Sequence, residues 1–458
     1  MRGWSSLRWL SSTLTAGVLV AVALVGVLAP SLFIHPDALD ELYRCDVGGP
    51  HRTVGHPLVE PIVCSLVGLV PLESLRVVQL WNLVWVVVAL GGVWRVVGMG
   101  TDRLRAPSVV GLLAFSYAGL HLARDPYLPD WPPALALLSW GVALRERSFL
   151  VACLLVGAAG CFVPPALAGL LVLVADEIRV RKRSVLAGVV VALVPPAVAI
   201  CAALGHPDAG SARPAGLSVA LKGALGALTA QEQGFSAFGL VDTPLSPAAW
   251  ATAGAIVGFG VWLAVFVRAA FVARDPRGLS ALVSAGVVGA FLLAWGPDQA
   301  RFWLLPLWLL ALGSARLDSW WLSAVGAGAA ACLFAANGAR YVLPTSSGPD
   351  PRVVQARTLA SEFASTDLLL FADGPRPHVD YFGGLQSDGL EVTLGRRDPG
   401  LACTEYLELL AAESHRNGGV VYVLGFKEVP GCLVPVWPLL AQPGKLVAGM
   451  EARAVRAR

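Results

Sequence analysis

Long apolar runs, broken by short polar interruptions, set the pattern of this chain. A run of roughly 20 apolar residues is what a helix needs to cross bilayer hydrocarbon. Taken in order, the runs predict helices near residues 13–34, 77–98, 107–122, 131–145, 148–163, 166–177, 185–204, 248–272, 279–295, 302–315 and 319–337. That makes about eleven crossings. Pro57 to Val70 is apolar too, but it is short and interrupted by Glu60 and Pro61. It predicts a juxtamembrane or re-entrant helix, not a full crossing. The first run follows Arg2 and Arg8 and extends from Leu14 to Ile34, with no small-residue cleavage site before His35. That is longer than a signal-peptide core, so an uncleaved first membrane helix is expected.

The pattern changes after Leu343, where Pro344 to Pro351 is rich in turn residues. Beyond it the periodicity predicts a helix over Val353–Ala364, a strand within Asp367–Asp373, a helix over Leu401–His415 and a strand within Gly419–Gly425. Alternating helix and strand reads as a small α/β layer. The expected organisation is a polytopic all-α module over 1–343 and a small extracytoplasmic α/β domain over 344–458.

Composition agrees with the apolar pattern. Of 458 residues, 56% are hydrophobic and 14% charged, whereas soluble domains carry about a quarter charged residues. A net charge of +3 points to no nucleic-acid partner. The eight cysteines form no CxxC pair and no Cys/His cluster. Cys45 with Cys64, or Cys403 with Cys432, would pair in an oxidising compartment; unpaired apolar cysteines are the alternative. Charge also orients the chain. With a cytoplasmic N-terminus, the inside loops and span ends gather Arg2, Arg8, Arg95, Arg103, Arg105, Arg145, Arg147, Arg179, Arg181, Lys182 and Arg183. Counting Pro57–Val70 as a crossing reverses this asymmetry, so the short helix is again predicted not to cross. The C-terminus is then outside.

The outer segments hold the candidate chemistry. Asp37, Asp40 and Glu41 follow the first helix and fall on one face at i, i+3 and i+4 if that stretch is helical. A catalytic base or a hard divalent cation needs such a cluster beside low-dielectric lipid; a solvated loop is the competing reading. Asp125 lies in the next outer loop, where adjacent helices would bring it toward Asp37. Arg124 would bind a phosphate or pair with Asp125. His121, at a helix end, reads as an interface residue, and His378 as a residue without clustered partners.

These positions resemble the GT-C superfamily of polytopic glycosyltransferases, in particular its protein O-mannosyltransferase and aminoarabinose transferase branch. The matching residues are Asp37 or Asp40 with Glu41 for the first-loop acid, His56-Pro57-Leu58 for the turn and Arg76 opening the next span. Thr101–Arg105 matches the basic loop, Asp125 the second-loop acid, and Arg301 with Pro306 the family's Arg-Tyr segment. Pro164-Pro165 departs from the family pattern, because Phe162 and Val163 precede it and supply no Lys. His35-Pro36-Asp37 is also similar to the start of the glycolipid mannosyltransferases, which leaves Asp37 and Asp40 as competing bases. The resemblance implies an inverting glycosyltransferase that takes a sugar from a polyprenyl-phosphate donor to a lipid, glycan or protein acceptor on the outer membrane face. It implies Asp37, Asp40, Glu41 and Asp125 as catalytic candidates and His56, Arg124 and Arg301 as substrate-binding candidates. Asp37 and Asp125 are candidate ligands for a divalent cation such as Mg or Mn. The rival readings are a transporter or flippase, which would want ionisable residues in mid-span, and a polymerase or ligase of lipid-linked surface polysaccharide.

Overall fold

The computed structural model describes residues 2–31, 59–70, 72–98, 104–126, 129–180, 182–203, 224–229, 247–295, 300–317, 319–348, 350–372, 376–395, 397, 400–425, 432–434, 446–447 and 450–455. The chain divides into two compact units, Met1–Ser31 with Pro50–Ser347, and Leu32–Gly49 with Gly348–Arg458.

The first unit is a helical, multi-span membrane protein. Its helices are α1 (Arg2–Leu28), α2 (Val59–Leu69), α3 (Ser74–Val97), α4 (Arg105–Phe115), α5 (Tyr117–Arg124), α6 (Trp131–Leu144), α7 (Phe149–Phe162), α8 (Gly169–Val180), α9 (Lys182–Ala203), α10 (Pro247–Ala273), α11 (Pro276–Trp295), α12 (Leu304–Gly313) and α13 (Trp320–Asn337). Each predicted apolar run contains a helix among the described residues, but the run predicted as one helix over 107–122 is broken at Ser116. Among the described residues, five helices are long and apolar enough to cross a bilayer, or six if the bent pair α4–α5 counts as one span; α6, α7 and α12 are shorter apolar helices. α3 has 24 residues and rises about 36 Å, enough for hydrocarbon about 30 Å thick.

α2 has 11 residues and rises only about 16 Å. The chain also enters and leaves this region at one end of the bundle, because Arg76 at the start of α3 donates to the Val27 carbonyl at the end of α1. At the opposite end, Arg105 Nη1 donates to the carbonyls of Ser314 and Ala315, and Arg277 pairs with Glu146. Between the ends, α13 packs on α10 and α4, and α3 on α6. Phe115 and Phe334 meet edge to face at 5.0 Å. Lipid-exposed leucines and valines such as Leu24, Leu186, Val190 and Val257 cover the outside.

The second unit is a three-layer α/β/α domain. Its helices are α15 (Pro351–Glu362), α16 (Arg376–Gly383), α17 (Leu390–Gly395) and α18 (Cys403–Arg416), with α14 (Leu343–Ser347) preceding them in the chain. Its strands β1 (Leu368–Phe371), β2 (Gln386–Gly389), β3 (Val421–Leu424), β4 (Leu446–Val447) and β5 (Met450–Ala454) form one mixed sheet in the order β2-β1-β3-β5-β4. β1 is parallel to both β2 and β3, with Leu368 level with Gln386 and Val421. β5 closes antiparallel on β3 and β4.

Because side chains alternate along a strand, both faces of β1 and β3 are apolar and both are covered. Leu369, Phe371 and Leu424 pack with Ala356, Leu359 and Val379. Leu370, Val421 and Val423 pack with Leu390, Leu407 and Ala411. The four predicted elements of this domain are present. Cys403 and Cys432 are disulfide-bonded. Cys64 is also disulfide-bonded, and its expected partner Cys45 lies outside the described residues.

Candidate functional site

The site begins at a break in a helix. Ser116 leaves the helical backbone between α4 and α5, which bend by 67°. Its hydroxyl donates to the Leu113 carbonyl at 2.8 Å and accepts from the Gly119 amide at 3.1 Å. It thereby caps the new N-terminus in the usual way of serine. The bend is tight: a Cβ on Gly119 would sit 2.0 Å from the Leu113 carbonyl oxygen. The Phe115 carbonyl freed by the break accepts from Asn337 Nδ2 at 2.8 Å. The eight-residue α5 therefore ends inside the bundle, with His121 and Arg124 in its last turn. Cations suit that position, because a helix C-terminus carries partial negative charge.

Arg124 is fully buried. Nε donates to the Ala29 carbonyl at 2.7 Å, Nη1 to Thr345 Oγ1 at 2.9 Å and Nη2 to the Val342 carbonyl at 3.3 Å. Its guanidinium lies 4.7 Å from the centre of the Tyr341 ring. α3 pins the adjoining backbone: Gln79 Nε2 donates to the Arg124 carbonyl at 2.7 Å and Asn82 Nδ2 to the Asp125 carbonyl at 2.9 Å. Arg76 in turn orients Gln79, with Nη1 at 2.5 Å from its Oε1. The close fit of α1 here needs Gly26, where a Cβ would meet Leu83 at 2.6 Å and the Ala123 carbonyl at 3.0 Å.

Asp125 caps α5 and is buried. Its Oδ2 accepts from the Tyr341 hydroxyl at 2.5 Å and pairs with His121 Nδ1. Among the described residues, Oδ1 meets no donor. Tyr341 comes from a single π-helical turn, Gly338–Val342, that ends α13; such turns are frequent at functional sites. Its ring stands edge-on to Tyr117 at 5.0 Å, and Tyr117 stacks on His121 at 5.5 Å. The result is a carboxylate, an imidazole, a phenol and a guanidinium gathered at one end of the bundle. Charged groups this deeply buried persist only when paired and hydrogen-bonded, and these are.

The structure places the predicted residues unevenly. Asp37, Asp40, Glu41 and His56 lie outside the described residues. Arg301 falls in the short 3-10 helix Ala300–Trp303, and its side chain is likewise outside them. Asp125 is central. The expected pairing of Arg124 is corrected: its hydrogen bonds go to two carbonyls and Thr345 rather than to Asp125. His121 is corrected as well. It is buried against Asp125 and is not an interface residue. Sequence reading missed Tyr341, Gln79 and Asn82; polar residues within apolar helices were the available signal for the last two. Among the described residues, no three His, Cys, Asp or Glu side chains gather to hold a metal ion.

A second buried polar cluster lies in the α/β domain and corrects the view of His378 as isolated. Asp350 caps α15 by accepting from the Arg352 amide at 2.9 Å. It also accepts from Arg352 Nε at 3.0 Å and Nη2 at 2.7 Å, and pairs with His378 Nε2 at 3.6 Å. Burial pushes the Asp350 carboxyl up, but His378 and Arg352 outweigh it and hold the group well below the usual carboxylate range. Elsewhere in this domain, burial and Asp367 push the Tyr422 hydroxyl up.

This chain, a multi-span helical module followed by a small mixed sheet, shares its fold with a solved protein. It is similar across nearly its full length to the crystal structure of ArnT from Cupriavidus metallidurans in the apo state. That similarity has a TM-score of 0.60 at 13% identity and covers 98% of this chain and 98% of that one. The structure of the same ArnT bound to undecaprenyl phosphate is similar with a TM-score of 0.55 at 13% identity, over 97% of each chain. No protein-family model matches the chain, and no curated protein sequence matches it.

Proposed function

We propose that this protein is a membrane glycosyltransferase that moves a sugar from a polyprenyl-phosphate donor to an acceptor at the outer face of the membrane, inverting the anomeric centre. The observation that carries the reading is the full-length likeness to ArnT, which has been solved with undecaprenyl phosphate bound. The Asp125 carboxylate, buried at the end of the bundle where α1, α3 and α5 converge, supports the reading. In this mechanism a first-loop acid, Asp37 or Asp40 with Glu41 beside it, takes the proton of the acceptor hydroxyl. Asp125 would hold the acceptor; Asp37 and Asp125 would be the ligands of a divalent cation, whose positive charge would lower the acceptor hydroxyl's proton affinity. The acceptor oxygen attacks the anomeric carbon opposite the leaving group, and the polyprenyl phosphate departs with the bonding electrons. Arg301 is proposed to stabilise that phosphate as it gains charge, since a planar fork of donors suits phosphate, and His56 to line the same site.

The orientation belongs to this proposal: cytoplasmic N-terminus, catalytic module over 1–343, and an extracytoplasmic domain over 344–458. The Cys403–Cys432 bridge supports it, since disulfides persist in oxidising compartments. The test is release of polyprenyl phosphate by purified protein from a panel of lipid-linked sugars, with membrane extract supplying acceptor. An EDTA arm with Mg or Mn added back tests the cation. Release from at least one donor is expected, lost on chelation and restored by metal. No release from any donor would refute the transferase reading; release indifferent to EDTA would remove the cation.

A further inference from the structure

We propose that Tyr341 is the positioning residue of the site: its hydroxyl fixes the Asp125 carboxylate in one rotamer, with Oδ2 engaged and Oδ1 the working oxygen. The inference rests on the role for Asp125 proposed above and extends it to a residue 216 positions away. The geometry points to it in three ways. First, the 2.5 Å bond from the Tyr341 hydroxyl goes to Oδ2, the oxygen also paired with His121. Oδ1 has no donor among the described residues. A carboxylate held by one oxygen keeps a defined direction for the other.

Second, the phenol itself is held. The ring is fully buried, edge-on to Tyr117, and Arg124 lies over its face. Its backbone carbonyl accepts from Thr345 Oγ1 at 2.5 Å, and Thr345 accepts from Arg124 in turn. A hydroxyl mounted this firmly transmits its position to its partner. Third, packing does not need the hydroxyl. The contacts that bury the ring are made by its carbon framework, so a phenylalanine retains them. The hydroxyl donates to Asp125 Oδ2, and His121 Nδ1 at 3.4 Å and the Ser31 side chain also neighbour it. Positioning of this kind acts on turnover rather than on donor affinity, because misplacing a reacting group by about 1 Å costs roughly a hundredfold.

The test is Tyr341→Phe in the full-length protein, assayed for release of polyprenyl phosphate with kcat and KM for the donor measured separately and thermal unfolding followed in parallel. kcat is expected to fall by about ten- to a hundredfold, with KM within about twofold and unfolding close to that of the parent. In an Asp125→Asn background the same substitution is expected to cost less than about twofold, because residues acting as a unit are not additive. A Tyr341→Phe protein with unchanged kcat, one whose loss tracks a loss of folded protein, or one equally impaired with and without Asp125 overturns the inference. A parent that releases nothing from any donor refutes the transferase reading itself. An active parent with full activity in Asp125→Asn refutes both the role of Asp125 and the positioning role of Tyr341, while leaving the reaction in place.

Discussion

Replacing Arg124 with methionine separates a structural tie from a phosphate ligand. Methionine keeps the length of the side chain and removes the guanidinium. Three acceptors then lose their donors: the Ala29 and Val342 carbonyls and Thr345 Oγ1. Hydrogen bonds from a charged group contribute about 1.5–3 kcal/mol each, but such terms are not additive. Removing one partner from a buried charged network destabilises by about 3–5 kcal/mol, the figure adopted here. Loss of the cation–π contact lies within that range. For a unit of this size the expected fall in melting temperature is on the order of 10 °C. The assay is thermal unfolding of detergent-purified protein followed by size-exclusion fluorescence. Arg416→Met, on an exposed helix face, serves as control and should stay within about 0.5 kcal/mol of the parent. Arg124→Lys keeps the charge but not the fork of donors, and should fall between the two. A stable Arg124→Met protein whose donor KM rises sharply would refute the tie and restore Arg124 as a phosphate ligand.

Four further outcomes are expected. Asp37→Asn and Asp40→Asn should separate in the release assay, one losing about two or more orders of magnitude in rate with expression intact and the other losing little; near-parent rates in both and in Asp125→Asn would remove this acidic centre. A reporter fused after Arg458 should read as extracytoplasmic and one after Arg183 as cytoplasmic, and the reverse pattern would overturn the orientation. The Asp350 carboxyl is held below its unfolded value, so its stabilisation is present above about pH 4 and is lost as pH falls below that. Limited proteolysis of the parent should rise there, and Asp350→Asn should be cleaved faster at neutral pH with a flatter acid response. The Cys403–Cys432 bridge closes a separation of 29 residues, worth about 3–4 kcal/mol by chain entropy; single Ser variants should lose similar amounts in chemical unfolding, and unequal losses would point to packing instead.

Much of the fold was legible because lipid and strand cores impose simple patterns. The helices follow from apolar runs alone, and β1 and β3 from four-residue apolar stretches buried on both faces. β2 was not legible. Gln386-Ser-Asp-Gly389 has little intrinsic strand preference and becomes a strand only by parallel pairing with β1. β4 is two residues long, too short to carry any period. In the site, Asp125 was visible as an acid in an outer loop beside a helix end. Its partner was not, because nothing local to Tyr341 marks it for a carboxylate more than 200 residues earlier. His121 looked like an interface residue since its sequence neighbours are apolar, and the i, i+4 spacing to Asp125 gained meaning only once α5 was found to end within the bundle. His378 and Asp350 were likewise joined only by folding, since α15 and β1 separate them in the chain.

The π-helical turn Gly338–Val342 also has a genetic meaning. Such a turn holds one residue more than the α-helix around it, so it can be gained or lost through a single codon. Deleting Ala339 would restore plain α-helical phase and swing everything after it by about 100°. Tyr341 and Thr345 would leave Asp125 and Arg124 together. One in-frame deletion within these five residues would therefore disengage both buried charges in a single mutational step.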